Sequence, residues 1–170
     1  MRFTGKTVLV TGAGKNTGLG IAACFAAAGA TVFVNDATPE GAARAVAALR
    51  RKGWRKVHAA PADVGDPATV EAMFRAIRRR AKRLDVLVNN AAHLGVGPAF
   101  LDTEPAFFES VVRVNLLGTF HVSRLAARWM KAAGGGAIVN IGSNVSTRAI
   151  HKRAAYLASK GGIDALTLAM

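Results

Sequence analysis

Tyr156 and Lys160 stand four residues apart near the end of this 170-residue chain. In a helix that spacing puts a phenol and an ammonium on one face. Tyrosine ionises near pH ~10 in water and is a poor base at neutrality, but a neighbouring cation favours the phenolate and brings its proton into working range. Ser143 follows an apolar run earlier in the chain and offers a hydroxyl to hold a substrate oxygen while Tyr156 exchanges a proton with it. The same pair in isolation reads as an ordinary surface couple on a helix. The elements around it have to decide.

Those elements are organised by Val8-Leu9-Val10, which breaks into Thr11-Gly12-Ala13-Gly14-Lys15-Asn16-Thr17-Gly18-Leu19-Gly20 and opens an Ala-rich stretch. This is a strand, a tight turn and a helix start. Glycines keep side chains away from the helix N-terminus, so free N–H donors and the positive dipole end can face a pyrophosphate. A dinucleotide is the expected ligand, and it would carry a hydride while Tyr156 handles the proton. Asp36 closes the apolar run Thr31–Asn35, 18 residues after Gly18, where a carboxylate can accept hydrogen bonds from ribose hydroxyls. Taken alone, Asp36 also reads as the start of a turn before Thr38-Pro39.

The rest of the chain alternates. Residues 38–53 form a helix with Pro39 near its start and Gly53 as its stop, and Lys56–Ala60 is a short strand followed by Ala62-Asp63-Val64. Asp66-Pro67 opens a helix with Val70, Met73, Phe74 and Ile77 facing a sheet. Leu84–Asn90 is an apolar strand ending in two amides, and a loop with Gly95, Gly97 and Pro98 comes next. Thr103-Glu104-Pro105 starts a helical region reaching about Ala133, with Phe107, Val111, Val114, Leu117, Phe120 and Leu125 as its apolar side. Gly134-Gly135-Gly136 ends it, Ala137–Ile141 is a strand ending near Ser143, and residues 154–170 open a last helix. The expected fold is α/β: one domain over residues 1–170, a doubly wound parallel sheet of five recognisable strands with the motifs at its C-terminal rim.

Composition narrows the reading. No leader pattern stands at residues 1–10, and the apolar stretch from Leu19 to Val34 is broken by Gly20, Gly29 and Thr31, so a cytoplasmic protein without a membrane span is expected. Cys24, the one cysteine, is expected as a small buried hydrophobe. Lys and Arg number 23 against 10 Asp and Glu, giving a formal charge of +13. The basic residues Arg50, Arg51, Lys52, Arg55 and Lys56, and Arg75, Arg78, Arg79, Arg80, Lys82 and Arg83, gather at helix C-terminal turns without interleaved aromatics. A solvated face that steers anionic substrates is expected, rather than a specific nucleic-acid site. His58, His93, His121 and His151 show no metal-ligand spacing, so no metal is expected; His93 and His151 flank the presumed pocket.

Thr11-Gly12-Ala13-Gly14-Lys15-Asn16-Thr17-Gly18, Asp63-Val64, Asn89-Asn90-Ala91-Ala92, Asn115, Ser143 and Tyr156-x-x-x-Lys160 together resemble the short-chain dehydrogenase/reductase family, in order and separation, across the whole chain. The resemblance implies an oxidoreductase with a Rossmann fold, moving a hydride between a nicotinamide cofactor and a secondary alcohol or ketone. It implies that Tyr156 is the catalytic acid/base, that Lys160 binds the nicotinamide ribose and lowers the Tyr156 pKa, that Ser143 polarises the substrate and that Asn115 supports a proton-relay water. Gly12, Lys15, Asn16, Thr17 and Gly18 would form the phosphate turn. Asp63 and Val64 would contact adenine, while Asn90 and Ala91 would line the cleft, Asn90 also steadying the sheet. Asn16 stands where the family pattern has a glycine, and asparagine tolerates left-handed backbone better than most residues. Asp36 favours NAD, while Lys15 could greet the extra phosphate of NADP.

Family members continue through two further strands and a substrate-covering segment, whereas this chain stops at Met170. The strand Ala137–Ile141 is then an exposed edge, and weak or absent turnover with residual dinucleotide binding is expected of these 170 residues. The alternative from another class is a dinucleotide-binding, non-catalytic protein that senses redox state. A homo-oligomer is expected, because residues 115–130 and the Tyr156 helix resemble the family's oligomer surfaces.

Overall fold

The computed structural model describes residues 2–148 and 150–170. Met1, part of the stretch read for a leader, lies outside them. The elements run β1 (Thr7–Val10), α1 (Asn16–Ala27), β2 (Thr31–Val34), α2 (Pro39–Arg51), β3 (Val57–Ala59), α3 (Pro67–Arg78), β4 (Val86–Asn89), α4 (Pro105–Val112), a π-turn (Arg113–Leu117), α5 (Gly118–Ala132), β5 (Ala137–Asn140) and α6 (Ala154–Ala169). The strands form one parallel sheet in the order β3-β2-β1-β4-β5. β1 lies at its centre, flanked by β2 and β4.

β1 is buried along its whole length because alternate side chains enter opposite cores. Val8 and Val10 pack with Ala22, Ala26, Val46 and Leu49 of α1 and α2. Leu9 turns the other way, onto Met73, Phe74 and Ile77 of α3 and Val122 and Trp129 of α5. A sheet covered on both faces reads as continuous apolar runs, as these strands do. Helix starts follow the polar punctuation: the Thr38 hydroxyl accepts the Gly41 N–H at 3.1 Å ahead of Pro39, and the Asp66 carboxylate accepts the Ala68 N–H at 2.9 Å ahead of Pro67.

Three expectations need correction. The helical region after Pro105 is not in one phase. The π-turn at Arg113–Leu117 inserts an extra residue, so Leu117 and Phe120 stand 44% and 43% exposed, and the buried face of α5 becomes Val122, Ser123, Ala126, Trp129 and Met130. Cys24 is exposed, because α1 meets the sheet through Gly18, Ala22 and Ala26 and Cys24 falls on the opposite side. The last strand ends at Asn140; Ser143 instead caps a short 3₁₀ helix at Asn144–Thr147, its hydroxyl accepting the Val145 N–H at 3.4 Å. Of the basic residues, Arg50, Arg51, Arg75 and Arg78 do occupy last helical turns, while the others lie in the connections that follow.

β5 is a sheet edge with Ala137 and Val139 exposed. α6 packs against α4 and the π-turn, which brings Asn115 and Ser159, 44 positions apart, into contact.

Candidate active site

The glycine turn adopts the backbone that its sequence permits. Gly12 has φ +60°, and a Cβ there would stand 2.6 Å from the Ala91 Cα, so only glycine fits. Asn16 has φ +49°, the left-handed conformation that asparagine tolerates. A Cβ on Gly18 would meet the Gly12 carbonyl and the Asn90 side chain. α1 has no side-chain cap, and its N-cap residue Lys15 is extended. The first N–H groups of α1 therefore open onto the cleft, with the positive end of the helix dipole behind them.

Amides hold this rim together. The Asn90 side chain donates to the Thr11 and Gly12 carbonyls at 3.0 and 3.1 Å, and the Thr11 hydroxyl accepts the Asn90 and Ala91 N–H groups at 2.9 and 3.0 Å. Asn35, fully buried, accepts the Gly12 N–H at 3.2 Å and donates to the Ala60 and Ala62 carbonyls at 2.9 and 3.0 Å. Sequence reasoning passed over Asn35; a polar residue ending an otherwise apolar strand was its signal. Asp36 follows it, its Oδ1 accepting the Thr38 N–H and hydroxyl at 3.0 Å each, and its other oxygen lies against Gly14, where no Cβ could stand. Asp36 thus makes the turn and also faces the cleft.

Asp63 is held from two sides. Its Oδ1 accepts the Gly65 N–H at 2.9 Å, and its Oδ2 pairs with Arg113 Nη1 at 3.0 Å. Burial alone would raise this carboxyl, but the Arg113 hydrogen bond, the Gly65 N–H and the Arg113 charge outweigh it and hold the group below the usual carboxylate range. Arg113, unmarked in the sequence reading, is the first residue of the π-turn.

Tyr156 and Lys160 lie on the first turns of α6. Lys160 is only 2% exposed, and its Nζ donates to the Ile141 carbonyl at 2.6 Å and stands 5.7 Å from the centre of the Tyr156 ring. Burial pushes its ammonium below the usual lysine range, and the Asp164 carboxylate opposes that drift. Arg153 brings a second cation to 5.7 Å from the same ring and donates to the Leu94 carbonyl. Asn115 is fully buried and fully engaged: its Oδ1 accepts the His93 N–H at 2.7 Å, and its Nδ2 donates to the His93 carbonyl at 3.0 Å and the Ser159 hydroxyl at 2.9 Å. His93 Nδ1 accepts the Gly95 N–H at 3.0 Å, so a neutral imidazole there carries its proton on Nε2.

One cleft of about 620 Å³ is lined by Gly12, Lys15, Asn16, Thr17, Gly18, Asp36, Asp63, Val64, Asn90, Ala91, Tyr156 and Lys160 together. Asn115 and Ser143 are not part of its wall. Asn115 lies behind it, bracing the His93 backbone, and Ser143 follows Ile141 and Gly142, which do line it. Residues from four sheet connections and one helix thus converge on the glycine turn. A family model described as short chain dehydrogenase matches residues 6–170.

The chain belongs to the short chain dehydrogenase family. It is 39% identical over 163 residues to a D-threitol dehydrogenase of Mycolicibacterium smegmatis, covering 95% of this chain and 62% of that protein. It is 38% identical over 165 residues to a D-beta-hydroxybutyrate dehydrogenase of Cupriavidus necator, covering 97% and 63%. Among solved structures, a gluconate 5-dehydrogenase from Burkholderia cenocepacia, in complex with NADP and tartrate, superposes with a TM-score of 0.92 at 37% identity, covering 99% of this chain and 66% of that one. The short chain dehydrogenase chain described here therefore spans less than two thirds of the length of these relatives. Among the described residues no helix is long and apolar enough to cross a membrane, and no group of three or more His, Cys, Asp or Glu is placed to hold a metal ion.

Proposed function

We propose that the cleft takes a nicotinamide dinucleotide and that the protein moves a hydride between it and a secondary alcohol or ketone. The observation that carries this reading is the meeting of a glycine turn, an uncapped helix N-terminus and the Tyr156–Lys160 pair in one cleft. The residues fit the group: Gly12 and Gly18 leave the turn free of side chains that would fill it, and the α1 N–H groups suit a pyrophosphate. When bound, the nicotinamide ring supplies or accepts the hydride at the substrate carbon.

The chain's own residues do the rest. Tyr156 gives a proton to the carbonyl oxygen in reduction and takes it from the hydroxyl in oxidation. Lys160 and Arg153 each bring a cation to 5.7 Å from the centre of its ring. Ser143 holds the substrate oxygen. Asn115 acts as a positioning residue, fixing the His93 backbone at the cleft and Ser159 beneath Tyr156. Asp63 and Val64 form the adenine side.

NAD is the preferred form, because a carboxylate ending β2 accepts hydrogen bonds from a ribose diol and repels a 2′-phosphate, while Lys15 is exposed and free to turn to solvent. The substrate is assigned no more finely than a secondary alcohol or ketone; D-threitol and D-beta-hydroxybutyrate are the substrates in the names of two relatives. Exposed Leu117 and Phe120 support a homo-oligomer through the π-turn and α5, which sedimentation can check. In a screen of ketones with NADH, wild type gives a measurable, even if slow, turnover that Tyr156→Phe abolishes while leaving NADH binding intact. Turnover by Tyr156→Phe at the wild-type rate removes the tyrosine from the chemistry.

A further inference from the structure

A second concavity lies on the far edge of the sheet. A groove of about 790 Å³ runs along β3, lined by Arg50 and Arg51 from the last turn of α2, Arg55 from the following connection, His58 of β3 and Arg80 from the turn after α3. It shares no lining residue with the dinucleotide cleft. Two of these side chains are held in place. Arg50 is fixed by donating to the Val57 carbonyl at 3.0 Å, and the His58 ring stacks on Phe33 with centroids 5.3 Å apart. Among the described residues none of these four arginines forms a salt bridge; the carboxylates pair elsewhere, with Lys6, Arg75, Arg83 and Arg113.

We propose that this groove is an anion site that takes the phosphate groups of a small phosphorylated molecule. Guanidinium forks match phosphate oxygens two at a time, and several of them facing one concave surface repel each other until an anion neutralises them. His58 adds a donor that is neutral at physiological pH, since burial and the charges of Arg80 and Arg50 push its imidazole down. The arginines come from two chain segments, residues 50–55 and the turn at Arg80, and line one concavity of about 790 Å³. That shape suits a compact ligand better than a nucleic-acid backbone, which is tracked by an extended stripe.

The probe is inorganic pyrophosphate, titrated calorimetrically at ionic strength held constant with sodium chloride, while the His58 imidazole is followed by NMR. Wild type is compared with Arg55→Gln, Arg80→Gln and the double variant; both side chains are exposed, so the variants keep the wild-type core. The expected result is an equivalent of pyrophosphate that shifts the His58 resonances and raises its titration midpoint, with affinity falling about tenfold for each substitution. Binding that leaves His58 unmoved and survives the double substitution belongs to the glycine turn or to diffuse charge, and overturns the proposal. A short single-stranded oligonucleotide that binds more tightly than pyrophosphate and is lost in the same variants also overturns it, assigning the face to nucleic acid.

Discussion

Arg113 Nη1 lies 3.0 Å from Asp63 Oδ2 across 50 residues of chain, joining the loop after β3 to the π-turn that carries Asn115. The approach is close on both sides. A Cβ on Gly65 would stand 2.6 Å from the Arg113 guanidinium, and one on Gly118 would stand 2.8 Å from the Val64 side chain. The Asp63–Val64 wall of the cleft and the π-turn that carries Asn115 are therefore one packed unit.

A double-mutant cycle tests that connection. Arg113→Met and Asp63→Asn each weaken NADH binding, and the double variant is no weaker than the worse single one, because the second substitution removes a partner already lost. The pair is about half exposed, so its coupling in stability is about 0.2–1 kcal/mol. Strictly additive losses in NADH affinity separate the two residues.

Asn115→Ala leaves the His93 N–H, the His93 carbonyl and the Ser159 hydroxyl without a partner they now have. Unfolding in urea reports a loss of about 3 kcal/mol, the scale for several buried polar groups left unsatisfied. A loss below about 0.5 kcal/mol, the scale of surface substitutions, rejects the bracing role.

Acid destabilises the chain through Asp85 and Asp63. Burial alone would raise the Asp85 carboxyl, but the Thr7 N–H, Lys6 and Arg83 outweigh it and hold it low; Asp63 is also held low. A carboxyl whose folded pKa is depressed contributes stability that is present above its unfolded value of 3.8 and lost as pH falls through the folded value. Stability measured by denaturant from pH 6 downward, to about pH 2, falls below the unfolded value in wild type and falls less steeply in Asp85→Asn. Parallel pH profiles for the two proteins contradict the assignment.

The parts of this molecule visible in the sequence are those fixed locally. Gly12 and Asn16 sit where their left-handed backbone is needed, Thr38-Pro39 and Asp66-Pro67 start helices by capping them, and the apolar strands read as runs because both faces are covered. The motif residues from Gly12 to Lys160, Asn115 and Ser143 apart, line one cleft because parallel topology sends every strand end to the same rim. What stayed hidden depends on distant partners. The π-turn changes the hydrogen-bond register without changing composition, so a 3.6-residue period carried through it misplaced Leu117 and Phe120. The Arg113–Asp63 pair, the Asn115 clamp on His93 and the approach of Arg153 to Tyr156 exist only once α4, α6 and the π-turn have packed. Cys24 was misjudged because a residue's type does not say which side of a small-residue helix meets the sheet.

On the proposed function, the glycine-turn cleft holds a nicotinamide dinucleotide and Asp36 chooses its form. Fluorescence titration of NADH and NADPH tests it directly, using wild type and Asp36→Ala. Wild type is expected to bind NADH at least about tenfold more tightly than NADPH, the scale of one charge-assisted hydrogen bond gained or a like charge opposed, and Asp36→Ala to erase the preference. Saturable binding of neither nucleotide by the wild-type chain contradicts it.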